Sequence, residues 1–193
     1  MEKTSRVIIF ILLGALAALA TTACQRSKET SVAAAGQTAP EDAPSQADKA
    51  FVLDAEETSV KEIALGKLVL QKSQNDDVKT YAKMMVDDHS HVLDDLTALM
   101  KKLSISQPTT LDEAREEALG MIKDLIGPAF DRGFMNMMAA GHRAAVTKCR
   151  NETNLGQNKD VRKYATDYLP TLEQHLERAE DLQGKLPVAP RVR

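Results

Sequence analysis

The residues of this sequence best equipped for chemistry are its histidines. Three of the four, His89, His142 and His175, sit on the apolar seams of three separate helix-like segments. Glu62 occupies the seam of a further segment, and His91 falls off the seam. Each of the four seam residues lies near the middle of its segment, so at about 1.5 Å of rise per residue they reach one layer whichever way the helices run. A buried carboxylate is costly unless paired, and an imidazole in an apolar core needs a partner, so the four should meet one another or an ion. Three neutral imidazoles and one carboxylate make a ligand set for a single transition-metal ion, Zn, Fe, Mn or Cu, with Asp88 or Asp131 placed to orient a ligand from behind. The alternative is a metal-free network in which Glu62 pairs with a protonated histidine.

A carboxylate-bridged di-iron centre held between helices needs Glu-x-x-His on two of them. The residues three before His89, His142 and His175 are Val86, Ala139 and Leu172, so that design is absent and any metal should be single. Met135, Met137 and Met138 have thioethers that would suit Cu(I), but such side chains serve first as core filler. Cys149 shares a seam and reads as a small buried apolar residue, not a nucleophile. No Gly-x-Ser-x-Gly, phosphate-binding glycine loop or cysteine pair with metal spacing occurs, and an enzymatic role gains no support.

The elements that must position these groups are helices. One stripe runs Phe51, Ala55, Thr58, Glu62, Leu65, Val69, and after a Ser73 to Asp76 turn a second runs Val78, Tyr81, Met85, His89, Val92, Leu96, Leu99, Leu103. A third runs Asp131, Met135, Met138, His142, Ala145, Cys149, and a fourth Val161, Ala165, Tyr168, Leu172, His175, Ala179, Leu182. Between the second and third stripes, Thr110 with Glu113 predicts a capping box opening a shorter helix that ends near Gly127, and Pro128 suits the first turn of the next. Pro170 predicts a kink or break in the last helix. Short links within each pair and a long one between the pairs predict an all-α, ferritin-like four-helix bundle whose crossover, between main helices two and three, carries the extra helix.

Composition agrees with close-packed helices: 43% of the 193 residues are hydrophobic, only 4% aromatic, and none is Trp. With a net charge of −3 the chain lacks the basic footprint of a nucleic-acid binder. Its two cysteines, Cys24 and Cys149, stand in unlike contexts and predict no disulfide framework.

Residues 1–24 read as an export signal: Lys3 and Arg6 precede an apolar stretch from Val7 to Ala20, then Thr21-Thr22-Ala23-Cys24. Small residues before Cys24 resemble a lipobox with Thr21 in place of the usual Leu, so Cys24 is the expected lipidation site; simple cleavage near Ala20 or Ala23, or an uncleaved anchor, are the alternatives. Either anchor makes the membrane a partner and places the protein in the periplasm, tethered to the outer membrane or cell envelope. Residues 25–48, rich in Ala, Ser, Thr, Gln and Pro, read as a flexible linker, residues 49–185 as the bundle domain and 186–193 as a disordered tail.

Four blocks carry a family resemblance: Glu62-Ile63-Ala64-Leu65-Gly66-Lys67-Leu68; Met84-Met85-Val86-Asp87-Asp88-His89; Phe130-Asp131 leading to His142; and Leu169-Pro170 through Leu172, His175-Leu176 and Ala179. Over about residues 48 to 183 the sequence resembles the bacterial exported domain-of-unknown-function family 4142. The resemblance implies a ferritin-like helical fold in the bacterial periplasm or outer membrane, with no established reaction. It puts Glu62, His89, His142 and His175 at the motif positions, with Asp88 and Asp131 beside them; Cys149 departs from the larger apolar residue expected there. Two functions compete: a metal-binding stress or metal-homeostasis protein of the envelope, and a non-enzymatic structural or interaction module whose polar core only fixes helix packing. Mixed charge on the exposed faces names no protein partner.

Overall fold

The computed structural model describes residues 43–187. The signal segment with Cys24, most of the linker, and the residues after Pro187 lie outside them. Every regular element described is helical: α1 Gln46–Lys72, α2 Asp76–Leu103, α3 Leu111–Gly120, α4 Gly127–Leu155 and α5 Lys159–Lys185, with no strand among the described residues. None of these helices is long and apolar enough to cross a membrane.

Local chemistry sets the ends. The side chain of Asn75 accepts from the amides of Asp77 and Val78 at 3.0 and 3.1 Å, satisfying donors that the first turn of α2 leaves free. Asn158 does the same for α5, taking the Asp160 and Val161 amides at 2.9 and 3.2 Å. Acidic Asp76 and Asp77 in the first turn of α2 and Lys101 and Lys102 in its last oppose the helix dipole. Pro128 falls in the first turn of α4, where its missing amide costs nothing.

Packing pairs α1 with α2 and α4 with α5; α1 also meets α4, α2 meets α5, and α3 lies on α1. A Cβ at Gly66 would stand 2.8 Å from Val86 Cγ2 and 3.0 Å from the Ala82 carbonyl, so α1 and α2 touch closely one turn past Glu62. The apolar interior forms two clusters. One holds Leu65, Val69, Val78, Tyr81, Met85, Phe130, Phe134, Met135, Met138, Ala179 and Leu182; the other holds Val52, Val92, Leu96, Met100, Val161 and Tyr164. Burying each Leu or Phe is worth about 1.5–3 kcal/mol, so both clusters drive the helices together. On α1, α2 and α5 the residues of one cluster precede Glu62, His89 and His175, and those of the other follow: the polar residues form the layer between them.

Several expectations are corrected. Helix α1 begins at Gln46, inside the stretch read as linker, because Ser45 and Asp48 close a capping box with Ser45 N–H to Asp48 Oδ2 at 2.6 Å and Asp48 N–H to Ser45 Oγ at 3.1 Å. In its first half the buried residues are Asp48, Val52, Glu56 and Ser59, with Phe51, Ala55 and Thr58 only half-buried. Strict four-and-three spacing assumes 3.5 residues per turn; a straight helix drifts about 20° per heptad from it, enough to slip the stripe by one residue. Met100 replaces Leu99 in α2 for the same reason. The Thr110 box does not form, and α3 stops at Gly120, short of Gly127. Pro170 does not break α5: it is exposed, so the carbonyl it frees faces solvent. Leu186 is buried and its carbonyl accepts from Arg132, so packing continues past the expected start of the tail.

Candidate metal centre

Seam spacing on four helices delivers four polar side chains to one point. Glu62 from α1, His89 from α2, His142 from α4 and His175 from α5 are all buried, His142 completely at 0% exposure. The imidazole centroids stand 5.8 Å (His89 to His142), 5.6 Å (His89 to His175) and 5.2 Å (His142 to His175) apart. Exposed His91 takes no part.

Each ring has one nitrogen engaged from outside. Ser59 Oγ spends its proton on the Ala55 carbonyl at 2.8 Å, leaving its oxygen to accept from Nδ1 of His89 at 3.2 Å. The Met138 carbonyl accepts from Nδ1 of His142 at 3.0 Å. Asp88 Oδ2 accepts from Nε2 of His175 at 2.8 Å, and the Tyr81 hydroxyl donates to the His175 carbonyl at 3.3 Å. What remains is one nitrogen per ring, Nε2 of His89, Nε2 of His142 and Nδ1 of His175, each buried without a hydrogen-bond partner. One nitrogen from each ring lies within 4.8 Å of those of the other two. Outer acceptors that hold the N–H of each imidazole and leave a lone pair facing inward are how metal-binding histidines are prepared.

Glu62 lies beside the three histidines but outside the group whose ligand atoms all approach within 4.8 Å of one another. Its Oε2 lies 2.7 Å from Nε2 of His89 and its Oε1 3.5 Å from Nδ1 of His142. The first contact is short, yet neither atom sits in an aligned hydrogen bond. With the His89 proton held at Nδ1, a neutral ring would turn a lone pair toward a carboxylate. A second proton on His89, or a cation shared by both atoms, relieves that repulsion. Burial pushes the Glu62 carboxyl up, and positive charge on His89, His142 and His175, with the His89 contact, draws it down to about 2; that low value goes with protonated imidazoles, the metal-free alternative, and not with neutral ones. Burial also holds His175 below its usual value, against the upward pull of Asp88.

The other residues singled out fall elsewhere. Asp131 is buried on α4 about three turns before His142, too far to orient a ligand, and its Oδ1 has no hydrogen-bond partner. Asp88 does hold His175. Met135 and Met138 fill the larger apolar cluster with Met137 packed against it. Cys149 is buried, its Sγ directed at the Ala165 carbonyl at 3.5 Å, and burial pushes the thiol up to about 11, away from nucleophilic thiolate. Sequence reasoning missed Ser59 and the Met138 carbonyl. Ser59 lies three residues before Glu62 on the same helix face, but the slipped stripe put Thr58 there; a backbone acceptor leaves no mark in residue type.

Two solved structures share the fold. A crystal structure of a DUF305 fragment from Deinococcus radiodurans aligns with a TM-score of 0.64 at 18% identity, over 75% of this chain and 99% of that one. A conserved hypothetical protein from Mycobacterium tuberculosis aligns with a TM-score of 0.57 at 17% identity, over 76% of this chain and 97% of that one. At these identities the likeness concerns fold alone. No curated protein matches the sequence. The family model for the domain of unknown function DUF4142 matches residues 33–182, most of the chain, and the protein therefore belongs to that family.

Proposed function

We propose that this protein binds a single transition-metal ion between His89, His142, His175 and Glu62 and serves metal homeostasis or metal-related stress in the cell envelope. One observation carries the reading: three buried imidazoles, each anchored through one nitrogen, bring a second nitrogen within 4.8 Å of one another, with those of His142 and His175 free of hydrogen bonds and that of His89 against Glu62. Buried lone pairs without partners are costly, and a cation would remove the cost. Three imidazoles and a carboxylate accept Zn, Fe, Mn or Cu alike, so the ion bound depends on supply as much as affinity.

The scaffold reads as a ferritin-like four-helix bundle formed by α1, α2, α4 and α5, with residues 104–126 and α3 as the crossover. Cluster membership supports this. Helices α1 and α5 enter the larger cluster through their C-terminal halves, and α2 and α4 through their N-terminal halves. Export and lipidation at Cys24 belong to the same proposal and rest on the residues around it.

The short contact between His89 and Glu62 favours a second reading, a protonated histidine on a carboxylate that fixes helix register without metal. Equilibrium dialysis of untagged protein against each metal separates the two. The metal reading expects one ion per chain, lost in His142→Ala. Saturation of His142→Ala at the wild-type level, or no stoichiometric uptake by the wild type, would reject it.

A further inference from the structure

Two of the four centre residues line cavities: Glu62 a roomy cleft, and His89 a far smaller one of about 40 Å³ between α1, α2, α4 and α5. A cleft of about 330 Å³ lies between α1, α3 and α4, and Glu62 is the one member of the set among its lining residues. Its wall on α4 carries Gly141, Ala144 and Ala145 between Met137 and Met138 on one side and Lys148 on the other, opposite Ala114 and Ala118 on α3. A Cβ at Gly141 would stand 3.5 Å from Oε1 of Glu62, so the next atoms of any longer side chain occupy the approach to that oxygen. The cations at the rim do not repel an incoming metal: Lys61 is paired with Glu57 at 2.8 Å and Lys148 with Asp54. The buried Glu62 carboxylate at the cleft floor, with the unpartnered nitrogen of His142 behind it, gives the ion a destination.

We infer that metal ions reach the centre through this α1–α3–α4 cleft, that Glu62 is the first ligand they meet, and that Gly141 keeps the last step open. The inference rests on the metal-binding reading above and adds a route to it. An ion entering here exchanges water for the Glu62 carboxylate at the cleft floor, then for the inward nitrogens. The absent Gly141 side chain thus controls the rate of loading and leaves the equilibrium of the loaded site alone.

The test uses the full chain and Co(II), whose visible bands report a site of imidazole and carboxylate ligands, followed by stopped-flow absorbance. Gly141→Val should load about tenfold or more slowly than wild type and reach the same final amplitude and midpoint, since only the entry path is narrowed. Gly141→Ala, whose added methyl group fits, should load at nearly the wild-type rate. Ala144→Phe, on the exposed rim where folding is not at stake, should also slow loading. Wild-type rates in both Gly141→Val and Ala144→Phe would overturn the route, as would loss of affinity in step with rate. Failure of the wild type to bind Co(II) at all would instead reject the metal-binding reading, a distinct result.

Discussion

At the scale of single residues, the centre depends on which nitrogen of each imidazole holds the proton. Ser59, the Met138 carbonyl and Asp88 set that choice, and Asp88 is the one whose removal is cleanest because it is partly exposed. Asp88→Ala should therefore lower metal affinity about 10- to 100-fold with the fold intact, read by competition with a chelator of known affinity. His142→Ala should abolish binding. Even in metal-free protein it should cost about 1–3 kcal/mol in urea denaturation, because Glu62 loses a contact and the Met138 carbonyl its donor. His91→Ala, at an exposed position, should leave both unchanged. The convergence of His89, His142 and His175 beside Glu62 was legible in the sequence because polar residues on apolar seams at equal heights have few ways to be satisfied. The donors' orientation was not, since it turns on a serine one position off the expected stripe and on a backbone carbonyl.

At the scale of elements, the start of α1 is tied to the α4–α5 loop through a pair of acids. Asp48 accepts from the amides of Gln157 at 2.9 Å and Asn158 at 3.3 Å, and the Glu152 carboxyl stands near enough to couple to it. Burial pushes Asp48 up, but these hydrogen bonds and those to Ser45 bring it down to about 2. Burial beside Asp48 raises Glu152 to about 7. A carboxyl raised on folding stabilises fully below its unfolded value, near 4.5, and loses that contribution as pH climbs through about 7. Glu152→Gln, neutral at every pH, should thus melt higher than wild type at pH 8 and show a smaller fall between pH 5 and 8 by circular dichroism. A melting profile parallel to wild type across that range would show that Glu152 is not the group titrating. Neither acid stood out in the sequence. Glu152 looked like one more charge near a helix end, and Asp48 looked like linker, because a Ser-x-x-Asp box is short and its neighbours are polar. Helix existence was readable from periodicity alone; helix ends were not, since Thr110 offered the same pattern as Ser45 and formed no cap.

At the scale of the whole molecule, two apolar clusters enclose a polar layer, so the centre is built last, when all four long helices have docked. Metal should consequently raise the melting temperature of the whole domain in one cooperative step and leave its helix content unchanged. The same logic explains what composition could reveal: an interior of Leu, Val, Met and Ala favours close helices, and small residues such as Gly66 and Gly141 stand where they come together. Which face would be left open could not be read, because it depends on where α3 lies. If the chain is exported and anchored as proposed, intact-mass spectrometry of membrane-extracted protein should find a diacyl or triacyl adduct on Cys24. A water-soluble form starting elsewhere would remove the anchor and leave the bundle as it is. The most direct measurement is anomalous diffraction at the metal's absorption edge from crystals of protein loaded with that metal. One peak among the nitrogens of His89, His142 and His175 and the carboxylate of Glu62 is expected; loaded crystals with no density there, or with the peak at some other group, would contradict the metal centre.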